Sequence, residues 1–167
     1  MAFDILQGPL VEHRASQPTL GIRVITPFRG MLAVRDALIS ELAGWLHARR
    51  IEPRGPFFLR LHTIDMAGDM DIEVGVFDDH GADDADDRVR VGEAPAGDYG
   101  VLAYRGSSMT ANKSLLAWVP ENDRGFDADP ATGAWAGRFE ILRTDPRREK
   151  RKTAWTIELA FLLDPES

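Results

Sequence analysis

The sequence predicts an α+β fold: a tandem, pseudo-twofold repeat of two βαββ units whose antiparallel sheets surround a central cleft. Three observations predict it. Landmarks recur in the same order in two halves: "PFRG" ends at Gly30, "LAGW" at Trp45, "GPFF" begins at Gly55 and "DIEV" carries Glu73; "AYRG" then ends at Gly106, "LLAW" at Trp118, "GRFE" begins at Gly137 and "TIEL" carries Glu158. Four landmarks kept in order are the mark of an internal duplication. Between the halves, "DDHGADDADD" (78–87) is acidic and lacks any apolar period, so it reads as a solvated linker. Within each half, one stretch of helical period lies among stretches of strand period.

The elements follow in order. "TLGIRVIT" and "DYGVLAY" are rich in aliphatic and aromatic residues and run into a glycine turn, as strands do. From Met31 to Arg50, Val34, Leu38, Leu42 and Trp45 recur at steps of three and four and mark one helical stripe. The second helix is shorter: Ser107 or Ser108 caps it, Leu115, Trp118 and Val119 supply its buried side, and Pro120 marks its end. Trp45 and Trp118, at the helix ends, read as core anchors. "FFLRLHTI" with "DIEVGVF", and "RFEILRT" with "TAWTIELAFLL", read as strand pairs. The result is one domain over 1–167, with unit one at about 17–78, the linker at about 78–88 and unit two at about 89–164.

Period-two geometry places the charges inside these strands. Ile72, Val74 and Val76, like Ile157, Leu159 and Phe161, are expected under the helices; Glu73, Gly75 and Phe77, like Glu158, Ala160 and Leu162, face away into a groove. The same reading turns Phe139 and Ile141 to the helix and Glu140, Leu142 and Thr144 to the groove, joined by Phe58, Arg60 and His62. The expected groove is apolar in body, with three carboxylates and one guanidinium that closes it by pairing with Glu73 or Glu140.

Composition narrows the function. A net charge of −7 and a pI near 5.1 repel phosphate backbones, so nucleic acid is not an expected direct partner. The chain has no cysteine, and its four histidines form no zinc pattern, so no metal or cofactor is expected. "MAFDILQGPL" lacks a basic leader and no apolar run approaches a membrane span, so a cytoplasmic protein without membrane partner is expected. The aspartates of 78–87 lack the closing glutamate of a calcium loop. "RREKRK" (147–152) lies between two strands and reads as a solvated hairpin loop.

"APAGDYGVLAYRG", "LLAWVPEND", "FEILRTDP" and "TIELAFLL", in that order, resemble the GyrI-like small-molecule-binding domain, also found as the effector-binding module of AraC- and MerR-type regulators. The likeness covers roughly residues 17–164. It implies two βαββ units around a cleft for flat, often cationic aromatic compounds, with Glu140 as the buried counter-ion. The family tyrosine two residues on is Leu142 here, and an aromatic common after the Arg-Gly turn falls near Ser108. Trp135, Phe58, Phe77 and Tyr99 are candidates to replace that stacking capacity. Resemblance, strand phase and the candidate aromatics together give an expected ligand set of Glu140, Leu142, Trp135, Phe58, Arg60, Glu73, Phe77, Tyr99 and Glu158. The insertion "NDRGFDADPATGAWAG" (122–137) is expected to be an irregular loop, with Trp135 closing over the ligand as a lid.

The resemblance implies a stand-alone binding protein for hydrophobic, cationic or amphipathic aromatic molecules, monomeric or weakly dimeric, that sequesters or senses its ligand. Two alternatives stand beside it. Some relatives hydrolyse cyclopropane-containing toxic natural products through a pocket glutamate, which makes Glu140 the candidate catalytic residue. A third is a protein-interaction module of the gyrase-inhibitor type, in which the acidic surface engages a basic partner.

Overall fold

The computed structural model describes residues 3–167. Among them are ten strands and two α-helices: β1 (Phe3–Arg14), β2 (Gln17–Pro27), α1 (Met31–Ala48), β3 (Phe57–Thr63), β4 (Asp69–Val76), β5 (Arg90–Ala94), β6 (Gly97–Gly106), α2 (Ser108–Glu121), β7 (Ala128–Asp129), β8 (Ala134–Trp135), β9 (Arg138–Leu142) and β10 (Ile157–Leu162). All paired strands are antiparallel, in the order β1-β6-β10-β9-β3-β4-β2-β5, and the β7–β8 hairpin hooks onto β3 at Thr63 and Ala134. The fold is α+β, with both helices on one face of a long open sheet.

The register carries the twofold relation. Across the central β3–β9 pair, Phe58 faces Ile141, Leu59 faces Glu140 and Arg60 faces Phe139. Exchanging the two strands maps Phe58 onto Phe139 and Arg60 onto Ile141, and leaves only the Leu59–Glu140 pair in place, so the pseudo-axis runs through that pair. The next strands outward agree: Arg60 faces Glu73 on β4 and Ile141 faces Glu158 on β10. Trp45 and Trp118 also correspond, each standing one residue before the last buried position of its helix, Leu46 and Val119. Both rings are half-buried against the core margin.

The leading strands are exchanged between the halves. β1 precedes β2 in the chain but pairs with β6, whereas β5 precedes β6 and pairs with β2. Each half is therefore completed by a strand from the other's side, which is why the two units share one sheet. Sequence periodicity offers no strand before Gln17, because β1 is an edge strand, mostly exposed and broken in register near Gly8 and Pro9.

Helix formation follows local rules. Gly30 caps α1 with φ of 84°, a left-handed turn that glycine tolerates at little steric cost. The side chain of Ser107 accepts from the Thr110 amide at 3.2 Å and caps α2. The stripe that α1 buries is Met31, Arg35, Leu38, Ile39, Leu42 and Leu46, so Val34 and Trp45 lie at its margin and an arginine lies inside it. No helix of the described residues is long and apolar enough to cross a membrane.

The acidic segment is more ordered than a solvated linker. Asp78 is buried and accepts from the amides of Arg54 (2.7 Å) and His80 (3.0 Å). Asp86 accepts from the amides of Arg88 and Val89, both at 2.8 Å, and from Trp45 Nε1 at 3.1 Å. Its aspartates serve as local turn acceptors that strap the crossover to α1.

Candidate functional site

The residues expected to share one groove fall on opposite faces of the sheet. Glu140 sits between Leu59 and Leu159, its neighbours on β3 and β10, and both belong to the core under the helices. Leu142 lies on that same face, whereas Phe139 and Ile141 point to the open face with Phe58, Tyr99 and Ala160. The β9 assignment is therefore reversed. Glu73, Phe77, Arg60 and Glu158 do lie on the open face, where Phe77, Tyr99 and Glu158 line one pocket and Arg60 and Glu73 another, while Glu140, Leu142 and Trp135 belong to the helix side.

On the helix face, Glu140 is 8% exposed. Burial pushes its pKa above the ordinary carboxylate value, and the charges of Arg138 and Arg35 pull it only part of the way back. Arg138, two residues before it on the same face, is also 8% exposed. Its guanidinium carbon stands 4.4 Å from the ring centroids of both Trp135 and Phe161, and Nη2 donates to Asn112 Oδ1 of α2 at 3.0 Å. Among the described residues, Nε of Arg138 finds no hydrogen-bond partner. Burial lowers the Arg138 pKa to about 10, which keeps the group cationic at neutral pH.

From α1, Arg35 packs over Trp155 at 5.4 Å and donates to Asp36 through Nε (3.0 Å) and Nη2 (2.9 Å). Tyr104 of β6 is fully buried; its hydroxyl faces Ser108 without meeting a partner in good hydrogen-bond geometry, and burial pushes its pKa up to about 12. Buried polar atoms are almost always partnered, so Tyr104 Oη and Arg138 Nε are exceptions that lie near the same carboxyl. One helical turn before Arg35 and Asn112, on the same helix sides, Leu32 and Met109 are exposed at 54% and 70%. Exposed apolar side chains of both helices thus stand beside a buried charged cluster.

Trp135 ends β8 rather than an irregular loop: residues 122–137 contain the β7–β8 hairpin, and the ring packs on Phe126 (5.2 Å) and Phe161 (5.7 Å). It borders the Glu140 site through Arg138 as a fixed wall. Arg35, Arg138, Tyr104, Asn112, Trp155 and Phe161 were not among the expected site residues. Two of them had a signal: Arg35 lies within the apolar stripe of α1, and Arg138 shares the side-chain parity of Glu140.

On the open face, Phe139 is the aromatic hub, with centroid distances of 5.4 Å to Phe58, 5.5 Å to Phe77 and 6.4 Å to Tyr99. Arg60 pairs with neither Glu73 nor Glu140; it donates to the carbonyls of Glu93 (3.0 Å) and Ala136 (2.8 Å) and packs over Phe139 at 4.9 Å. Glu73 meets His62 Nε2 at 2.8 Å. Glu158, 1% exposed, accepts from Arg14 at 2.8 Å and from Arg143. Tyr99 Oη donates to the Pro95 carbonyl at 2.6 Å.

Comparison of the sequence with protein-family models gives no match, and neither does comparison with characterised proteins. Solved structures do match. The EcmrR C-terminal domain superposes with a TM-score of 0.65 at 16% identity, covering 98% of this chain and 99% of that one. In the EcmrR–DNA complex the TM-score is 0.68, and this chain spans 57% of the length of that one. SAV2435 bound to tetraphenylphosphonium matches with a TM-score of 0.65 at 14% identity, over 95% of this chain and 94% of that one. A hydrolase from Listeria innocua matches with 0.59 at 11% identity, over 93% and 91%. The chain has the fold of a GyrI-like domain.

Proposed function

We propose that the chain is a small-molecule-binding protein that takes a hydrophobic, cationic aromatic compound into the crevice between α1 and α2. One observation carries the reading: a flat delocalised cation, the Arg138 guanidinium, already rests against Trp135 and Phe161 in the field of Glu140. A slot that holds one flat cation by cation–π contact and a carboxylate field suits another of the same kind. The ligand takes the aromatic walls, Arg138 turns outward, and Leu32 and Met109 cover the ligand's apolar rim. That SAV2435 has been seen with tetraphenylphosphonium supports the same ligand class. The binding serves sequestration or sensing.

The test is calorimetric titration of the whole chain with tetraphenylphosphonium and with uncharged triphenylphosphine oxide. Saturable binding of the cation, with the neutral compound clearly weaker, is the expected result. Equal affinities, or no binding of the cation, overturn the reading.

A second reading, hydrolysis, rests on one specific pair: a carboxyl whose pKa burial raises and the unpartnered hydroxyl of Tyr104 flank the same crevice. Such a carboxyl holds its proton more tightly than an ordinary one and is better suited to donate it. Turnover of a cyclopropane-bearing natural product, lost in Glu140→Gln, supports it; absence of product with the wild type removes it.

A further inference from the structure

We propose a second ligand site on the open face of the sheet, a cavity that receives an aromatic carboxylate. The cavity measures about 540 Å³, within the usual range for a small-molecule pocket. Phe77, Tyr99, Phe139, Ile141 and Ala160 form its apolar lining. These rings and aliphatic groups offer a body-sized surface for an aromatic system.

The polar end is set by Glu158. Both its oxygens are engaged, Oε1 by Arg14 Nη2 and Oε2 by Arg143 Nη2, and the residue is 1% exposed. A cation arriving at Glu158 finds no free oxygen on that carboxylate; Glu12, which also lines the mouth, accepts from Arg14 Nε through Oε1 and keeps Oε2 toward solvent. What remains open is donor capacity: a guanidinium carries five N–H groups, and Arg143 spends only Nη2 on Glu158 while its side chain stays 49% exposed. Arg14 spends Nη2 on Glu158 and Nε on Glu12 at 3.3 Å, which leaves Nη1 unspent. Glu158 therefore orients two guanidiniums at the pocket mouth, with planar N–H edges left for a carboxylate, the group that a guanidinium fork matches in two parallel hydrogen bonds. The mouth balances Glu12 and Glu158 against Arg14 and Arg143, and of these Arg143 is the charged group most open to solvent with unspent donors, so the proposed ligand carries its carboxylate there. This site stands without the helix-side reading, since the two share no residue.

The test uses the full chain and three probes of one shape: 2-naphthoate, neutral 2-naphthamide and 2-naphthylmethylammonium, followed by calorimetry. One naphthoate per chain is expected, bound about tenfold more tightly than either other probe. Arg143→Gln should erase that preference while the tetraphenylphosphonium titration stays as in the wild type. Ala160→Met, which fills the pocket floor, should abolish naphthoate binding. Naphthoate and tetraphenylphosphonium should bind together without competition. The proposal is overturned if naphthoate does not bind, if the ammonium binds as well, if the two ligands compete, or if the folded Arg143→Gln chain keeps the preference. Should that variant fail to fold by circular dichroism, the wild-type probe series and the competition experiment decide alone.

Discussion

Leu59 and Glu140 face each other across β3 and β9 at the point where the pseudo-twofold axis crosses the sheet. The axis relates an apolar residue of one half to a carboxylate of the other, so the duplication is broken in chemistry at its own centre. Leu59 is 1% exposed and continues the core; Glu140, in the same layer, is a carboxyl that receives no hydrogen bond among the described residues, its pKa raised by burial and drawn partly back by the charges of Arg138 and Arg35. That asymmetry gives the helix face one buried charged cluster instead of a continuous hydrophobic seam.

The first prediction is a trade of stability for binding at Glu140. Its pKa is raised in the folded chain, so the folded state holds its proton more tightly than the unfolded state does. The sign follows by linkage: the ionised form destabilises the fold, by an amount absent below the ordinary carboxylate pKa and complete above the raised one. Glu140→Gln should therefore melt higher than wild type at pH 7.5 and equal to it near pH 3.5. In the same variant, tetraphenylphosphonium affinity should fall by about 1.5–3 kcal/mol, the scale of a charge-assisted contact. A lower melting temperature at pH 7.5 would show that the ionised carboxylate is a net stabiliser.

The second prediction separates two equivalent glutamates. Glu158 and Glu73 occupy matching positions, but Glu158 holds Arg14 and Arg143 and is 1% exposed, whereas Glu73 meets His62 alone and is 8% exposed. Glu158→Gln should cost about 1.5–3 kcal/mol and Glu73→Gln about 1 kcal/mol or less, since charged hydrogen bonds outweigh the ordinary kind. Urea midpoints of the two variants check the order.

How much of this was legible in the sequence depends on how each strand is covered. On β4 and β10 the helix-side positions are Ile72, Val74 and Val76, and Ile157, Leu159 and Phe161, against glutamates and small residues, so phase could be read from alternation. β9 lies between β3 and β10 at the sheet centre, and all five of its residues are buried. Phe139 and Ile141 do alternate with Arg138 and Glu140, but the open face carries an apolar cluster of its own around Phe58, Tyr99 and Ala160, so alternation does not say which set lies under the helices, and assigning the apolar set there put Phe139, Ile141 and Glu140 on the wrong faces. The β7–β8 hairpin was illegible for another reason: two-residue strands exist only through their pairing with each other and with Thr63, a long-range contact. The exchanged partners of β1 and β5 are equally non-local.

The third prediction concerns Gly75, whose counterpart across the axis is Ala160. A Cβ at Gly75 would stand 2.5 Å from the Leu20 carbonyl oxygen and 2.5 Å from Phe58 Cζ, so no methyl fits without moving the strand or the ring. Gly75→Ala should cost about 1–3 kcal/mol, the usual scale of overpacking. A thermal melt unchanged from wild type would mean that Phe58 repacks freely, and the aromatic hub would not be rigid.

The last prediction tests whether Arg138 occupies the ligand's place or builds it. If the guanidinium stands where an incoming cation must go, binding has to undo two cation–π contacts and the hydrogen bond to Asn112 before the ligand makes its own. Arg138→Met keeps an unbranched, flexible side chain for the apolar slot and removes both the competing charge and that hydrogen bond. Tetraphenylphosphonium should then bind more tightly at pH 8, by about tenfold, or ~1.4 kcal/mol, the scale of one partly desolvated cation–π contact. The substitution also removes the stronger of the two charges that hold the Glu140 pKa down, so that pKa should rise further. Cation binding requires the carboxylate, so affinity should fall on acidification at a higher pH in Arg138→Met than in wild type, a shift that lost packing alone would not produce. Titrations at several pH values, read by tryptophan fluorescence with Trp135 in the slot wall, give both numbers. Weaker cation binding in a folded Arg138→Met chain, with no shift of the pH profile, would make Arg138 part of the site's framework and not the occupant that a ligand replaces.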